Sequence, residues 1–237
     1  MTEISASQSA KKPSMAGLLV ELGLCIILPT LILKKMSGED ALGPGLALLL
    51  ALSMPFAYGV FHFWKEKKFG FVPILGIVSI LLTGGVALFE LDPKYIAIKE
   101  AMIPLIIGLA TIFSLKTPYP LVKTFIYNER VLQIEKVDAA LDASNNQMSF
   151  DRALTNATYI LAGSFLLSAI LNFALATYIV TSPAGTAEFN DQLGTMNLLS
   201  YPVIVIPCMI IMIVAMMYLF KQIRGLTGLK LEEIMHQ

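Results

Sequence analysis

Apolar residues run on for about 20 positions at a time, six times over, and almost no charge interrupts them. A helix needs roughly 20 apolar residues to cross a hydrocarbon core about 30 Å thick. The runs cover about 16–33, 42–64, 71–89, 96–115, 157–180 and 197–220. They are continuous, without the alternation of barrel strands, and this predicts helices. With 56% hydrophobic and 14% charged residues, against about 25% charged in an ordinary soluble domain, too little polar surface is left to coat a water-soluble fold. A formal net charge of zero removes any global electrostatic attraction to nucleic acid or acidic substrates. The expected fold class is therefore all-α, an integral membrane bundle of six transmembrane helices whose first partner is the lipid bilayer.

Basic residues orient the bundle. Thirteen of the seventeen lysines and arginines fall in the N-terminal tail, the connections after the second and fourth runs, and the C-terminal tail. Six crossings put all four segments on one side, and the positive-inside rule makes that side the cytoplasm, with both termini there. The expected organisation is a cytoplasmic tail over 1–15, a membrane domain over 16–220 with a cytoplasmic connection at 116–153, and a cytoplasmic tail over 221–237. Trp64, Tyr95, Tyr119, Tyr178, Tyr201 and Tyr218 lie near run ends, as an aromatic belt would. The first run follows Lys11 and Lys12 but leads into LILKKMSGED without a small-residue cleavage pattern, so it reads as an uncleaved anchor. In the long connection Val131, Ile134, Val137 and Leu141 recur at helical spacing among acidic and basic residues. They predict a short amphipathic helix, either an ordinary solvated linker helix, the commoner case, or one lying on the membrane surface or on the bundle.

Polar residues inside the runs are the candidate functional groups, because each is costly in hydrocarbon. In the fourth run Glu100, Pro104, Gly108 and Thr111 fall on one stripe, while Lys99 shares a side with Ile103, Ile106 and Ala110. Small and polar residues mark helix–helix contact, so Glu100 is expected to point inward. Lys99 is expected to face lipid, its stem reaching outer headgroups or Asp92 and Glu90 beside Lys94. Neighbours in sequence lie about 100° apart around a helix, so Lys99 and Glu100 are not expected to pair with each other. The third run carries Gly76, Ser79, Thr83 and Ala87 on one stripe, and the fifth Ser164, Ser168, Asn172 and Ala176. By depth, Glu100, Asn172 and Thr83 form a candidate intramembrane polar cluster, with structural glue as the commoner role for such clusters. Glu21 and His62 are a second candidate pair near the inner surface.

No metal ligand set is readable, since His62 has neither a second histidine nor a cysteine pair beside it. Cys25 and Cys208 lie near mid-membrane in different runs and suggest neither a disulfide nor a redox role. Pro29, Pro55, Pro104 and Pro207 interrupt runs and mark kinks or hinges. No nucleotide loop, hydrolytic triad or paired-carboxylate motif appears, so neither a cofactor nor an enzyme activity is expected.

LLTGGVALFELDPKYIAIKEAMIPLIIGL resembles the corresponding region of the bacterial intracellular septation protein A family, in a branch with a Pro-basic…Lys-acidic signature matched by Pro93, Lys94, Lys99 and Glu100. KTPYPLVKTFIYN is similar to that branch's basic Pro-Leu segment, and SFLLSAILNFALATYIV resembles the family's fifth span, with Asn172 at its asparagine. The likeness covers about 22–220. It implies a multi-pass protein of the bacterial inner membrane, non-enzymatic, linked to septum formation and envelope synthesis through protein partners. The longer tails and the longer connection after the fourth run depart from the main septation proteins. The leading expectation is support of envelope synthesis or division through protein contacts, with homo-oligomerisation as one form of contact. The alternative, drawn from the residues themselves, is a small solute or proton-coupled carrier with Glu100 as its titrating carboxylate.

Overall fold

The computed structural model describes residues 22–66, 71–117, 127 and 132–234, and every element among them is helical. A π-helical turn, Gly23–Ile27, leads into α1 (Leu28–Lys35). There follow α2 (Gly43–Glu66), α3 (Phe71–Leu88), α4 (Lys94–Ser114), α5 (Ile134–Ala143) and α6 (Gln147–Ile179). Then come α7 (Ala187–Ser200), a second π-helical turn at Tyr201–Val205, α8 (Ile206–Thr227) and α9 (Leu231–Ile234).

Among the described residues, four stretches are long and apolar enough to cross a membrane: Gly43–Phe61, Lys94–Ser114, Gln147–Ile179 and Ala187–Thr227. Ile77–Leu88 is a shorter apolar helix. Leucines, isoleucines and methionines such as Leu49, Ile170, Ile213 and Met217 stand exposed along these helices, far beyond the apolar patches that water-soluble monomers carry. The architecture is compatible with a multi-pass membrane protein.

Buried apolar residues collect at the two ends. The upper core joins Leu33 of α1, Ala47 and Ala51 of α2, Val86 and Ala87 of α3, Ile96 and Ala97 of α4, Ala176 of α6, and Phe189 and Leu193 of α7. Alanine is frequent there because small side chains let helix backbones approach. The lower core joins Tyr127, Leu132, Val137, Leu141, Phe150, Leu154, Leu219, Ile223 and Ile234. The spacing expected to make an amphipathic helix makes α5, which buries Val137 and Leu141 on the lower ends of α6 and α8. Val131 lies outside the described residues. Tyr127 donates to Asp138 Oδ1 at 2.7 Å and rests against the Phe150 ring at 5.0 Å.

Two helices outrun their apolar stretches. α6 begins at Gln147, where the sequence suggested a polar connection up to 153 and a span from 157. Helix continues without a gap from Ala187 to Thr227, where the apolar run begins only at 197. At 1.5 Å per residue these helices measure about 50 and about 60 Å. Each exceeds the roughly 30 Å of a hydrocarbon core. Thr186 caps the start of α7 by accepting a hydrogen bond from the Phe189 N–H. The polar sequence FNDQLGTMN is helical because one face of it, Asn190 and Gly194, packs on α1.

Proline explains both π turns. Leu28 and Ile206 donate to the carbonyls five residues back, Gly23 and Tyr201, and the next residues are Pro29 and Pro207. A proline has no N–H to give, so the ladder upstream widens by one residue and keeps the helix continuous. Pro55 and Pro104 sit inside α2 and α4.

Candidate functional site

The buried face of α4 reads Ile96, Ala97, Lys99, Pro104, Gly108, Thr111 and Ser114. Pro104, Gly108 and Thr111 make the contact stripe that the sequence implied, and they meet α6, the helix on which α4 packs most extensively. A Cβ on Gly108 would sit 3.0 Å from that of Phe165, so the glycine sets how closely the two backbones approach. Lys99 departs from expectation. It is 8% exposed and turned toward α3 instead of lipid.

Its ammonium donates to Glu100 Oε1 at 2.6 Å, Thr83 Oγ1 at 2.7 Å and Ser79 Oγ at 3.3 Å. An ammonium has three protons, and here each has an acceptor. The rule that adjacent helical residues diverge is overcome by the lysine's length, since its four-carbon stem folds back over the carboxylate beside it. Reaching outward would have left Glu100 alone in an apolar setting. Pairing inward neutralises both charges and uses two hydroxyls of the neighbouring helix, which lowers the cost of burying either charge. Lys99 is thus a cross-helix latch on α3 and no outer-interface anchor, and the expected absence of a Lys99–Glu100 pair is corrected.

Of the expected polar cluster, Glu100 and Thr83 come together through Lys99. Asn172 stays on its own helix, donating to the Ser168 carbonyl at 2.8 Å and hydroxyl at 3.2 Å. At the upper loop Lys94 and Asp92 pair at 3.1 Å. The Lys94 backbone N–H, and then its ammonium, hold the Asp92 carboxyl below the usual carboxylate range. Glu90 adopts φ +50° in the α3–α4 turn, and its side chain lies over Gly185. Neither reaches Lys99. Glu21 lies outside the described residues, as does the side chain of His62, and with them the second candidate pair.

The pair borders a cavity of about 190 Å³ enclosed by the first π turn, α1, α2, α3, α4 and α7. Its polar lining is Cys25, Ser79, Thr83, Lys99, Glu100 and Asn197, and its apolar lining includes Leu48, Ala51 and Pro55 of α2. The volume suits several waters or a solute of a few heavy atoms and falls below the roughly 300 Å³ of ordinary drug-sized pockets. Glu100 keeps a quarter of its side chain exposed. Its second oxygen has no hydrogen-bond partner among the described residues, and neither has the Asn197 amide. On its other sides α3 borders apolar grooves, about 480 Å³ toward α4 and about 360 Å³ toward α2. The Lys99 latch is therefore a principal polar tie between α3 and α4.

Sequence reasoning missed the clasp above the cavity. Asn190, 1% exposed, donates to Ser37 Oγ at 2.9 Å and to the Pro44 carbonyl at 2.8 Å, joining α7 to the α1–α2 turn. Lys34 meets Asp191 at 2.8 Å and Thr195 at 2.7 Å. Gln192 accepts from the Thr181 and Ser182 N–H groups, both at 2.9 Å. The signal was the spacing of Asn190, Gly194 and Asn197, a helical stripe that runs from the connection before the sixth apolar run into the start of that run. Comparison with family models, curated proteins and solved structures gives no match for this chain.

Proposed function

We propose that this chain is a non-enzymatic, multi-pass protein of the bacterial inner membrane that binds and moves a small polar solute or proton at the Lys99–Glu100 cavity. The observation that carries this reading is a charged pair, placed among apolar helices, that opens onto a cavity with an unpartnered carboxylate oxygen. An ionisable residue inside a membrane helix is a functional-site candidate by default, with substrate and ion pathways among its roles. The stripes of small residues, which the sequence offered for partner proteins, are in part occupied within the bundle: Gly108 by α6, and Ser164 by a reciprocal contact with Cys208. Six spans with both termini cytoplasmic remain the topology this reading adopts. In this reading the apolar runs at 16–33 and 71–89 are the two crossings beyond the four long apolar helices.

A second reading, support of envelope synthesis or division through protein contacts, rests on the resemblance to septation protein A. Its surfaces would be the apolar grooves beside α3, open to a partner protein or to another copy of the chain.

Proteoliposomes loaded with a pH dye, and separately with a panel of small labelled solutes, test the carrier. Glu100-dependent flux supports it. No flux, together with a deletion strain that is long, unseptated or envelope-defective, transfers the conclusion to the second reading. Reporters fused after Lys68 and after Gly185 should report cytoplasm and exterior respectively, and the reverse at both would overturn the topology.

A further inference from the structure

The Lys99 ammonium is itself a small monovalent cation held by one carboxylate oxygen and two hydroxyls, a set of hard oxygen ligands of the kind that suits hard cations. The other oxygen of Glu100 faces the cavity without a partner, and the Asn197 amide lines the same space. We propose that the cavity binds one small monovalent cation, of the sodium or alkylammonium class, on Glu100 in competition with the Lys99 ammonium. This deepens the carrier reading by naming its ligand class.

Charge balance fixes the rest. Two cations on one carboxylate repel each other, so an arriving cation displaces the Lys99 ammonium from Glu100 Oε1 and leaves it to Thr83 and Ser79. The charged group facing Glu100 from α4 is Lys99, and the first π turn contributes the Cys25 thiol. Among the described lining residues α1, α2, α3 and α7 contribute no other titratable group. Displacing the ammonium from Glu100 also weakens the latch, so cation binding should loosen α3 from α4.

The test uses full-length protein in nanodiscs, with radiolabelled sodium as the probe at constant ionic strength. Unlabelled methylammonium and potassium distinguish organic from inorganic ligands. Wild type should bind one sodium per chain. Glu100→Gln should abolish binding. Lys99→Gln removes the built-in competitor, so it should bind at least tenfold tighter. Weaker binding in Lys99→Gln, or retained binding in Glu100→Gln, overturns the proposal. If either variant fails to fold, the wild type decides. Spin labels at Leu81 on α3 and Ile170 on α6 should move apart on titrating sodium, and no change in their separation overturns the inference. Binding without flux leaves the inference standing and removes the carrier reading. Flux indifferent to every cation tested does the reverse.

Discussion

Replacing Thr83 with valine removes one oxygen and almost no volume, which makes it a clean probe of the latch. The Lys99 ammonium then keeps Glu100 at 2.6 Å and the long 3.3 Å contact to Ser79, and loses its 2.7 Å acceptor. Hydrogen bonds to charged groups contribute about 1.5–3 kcal/mol in water-soluble proteins, while inter-helix bonds in membranes average nearer 0.6 and reach about 1.7. Water from the adjacent cavity can replace part of what is lost, so about 1–2 kcal/mol is expected, a factor of roughly 5–30 in the unfolding constant. Reversible unfolding in mixed micelles, followed by circular dichroism, measures it. Ser79→Ala should cost less, because its contact is longer, and Thr83→Ser should recover most of the loss. In a double-mutant cycle with Lys99→Met the two changes should be clearly less than additive, since each removes the same bond. Full additivity, or Ser79→Ala costing more than Thr83→Val, would refute the latch.

Gly108→Leu should cost at least about 1–3 kcal/mol in the same assay, because even a Cβ meets Phe165 at 3.0 Å and α4 must shift from α6. Asn190→Ala should cost about 1–3 kcal/mol by leaving the buried Ser37 hydroxyl and the Pro44 carbonyl without their partner, and it should speed proteolysis in the α1–α2 turn. Tyr127→Phe should cost about 1 kcal/mol at neutral pH. Burial first, and then the bond to Asp138, raise the Tyr127 hydroxyl above its ordinary value. Its stabilising contribution is thus complete below about pH 10 and is lost progressively as pH rises from there toward the raised folded value. Alkaline unfolding should therefore be blunted in the phenylalanine variant.

The helical class was legible because long apolar runs admit few other solutions. The stripe of Pro104, Gly108 and Thr111 was legible because small residues at helical spacing have one economical use. Lys99 was misplaced for a definite reason. A helical wheel assigns a direction to Cβ, whereas a lysine's charge sits several bonds further on and goes where acceptors are. Those acceptors, Thr83 and Ser79, lie 16 and 20 residues away in sequence, and nothing local indicates which neighbour a stripe will meet. The same limit explains Asn172, whose amide found the Ser168 carbonyl one turn below and needed no other helix. The length of the Ala187–Thr227 helix was hidden by hydropathy, which registers lipid contact and passes over a polar helix packed on protein.

Water access to the cavity tests the central claim most directly. In a background with Cys25 and Cys208 changed to alanine, single cysteines are placed at Asn197, in the cavity wall, and at Ile106, on the exposed apolar side of α4. Each is treated with a charged methanethiosulfonate that reacts only with hydrated thiols. Modification at Asn197→Cys, slowed by sodium, with Ile106→Cys inert, is the expected result. An inert Asn197→Cys beside a reactive Ile106→Cys would mean that Lys99 and Glu100 border no aqueous site, and the account would fail at its centre.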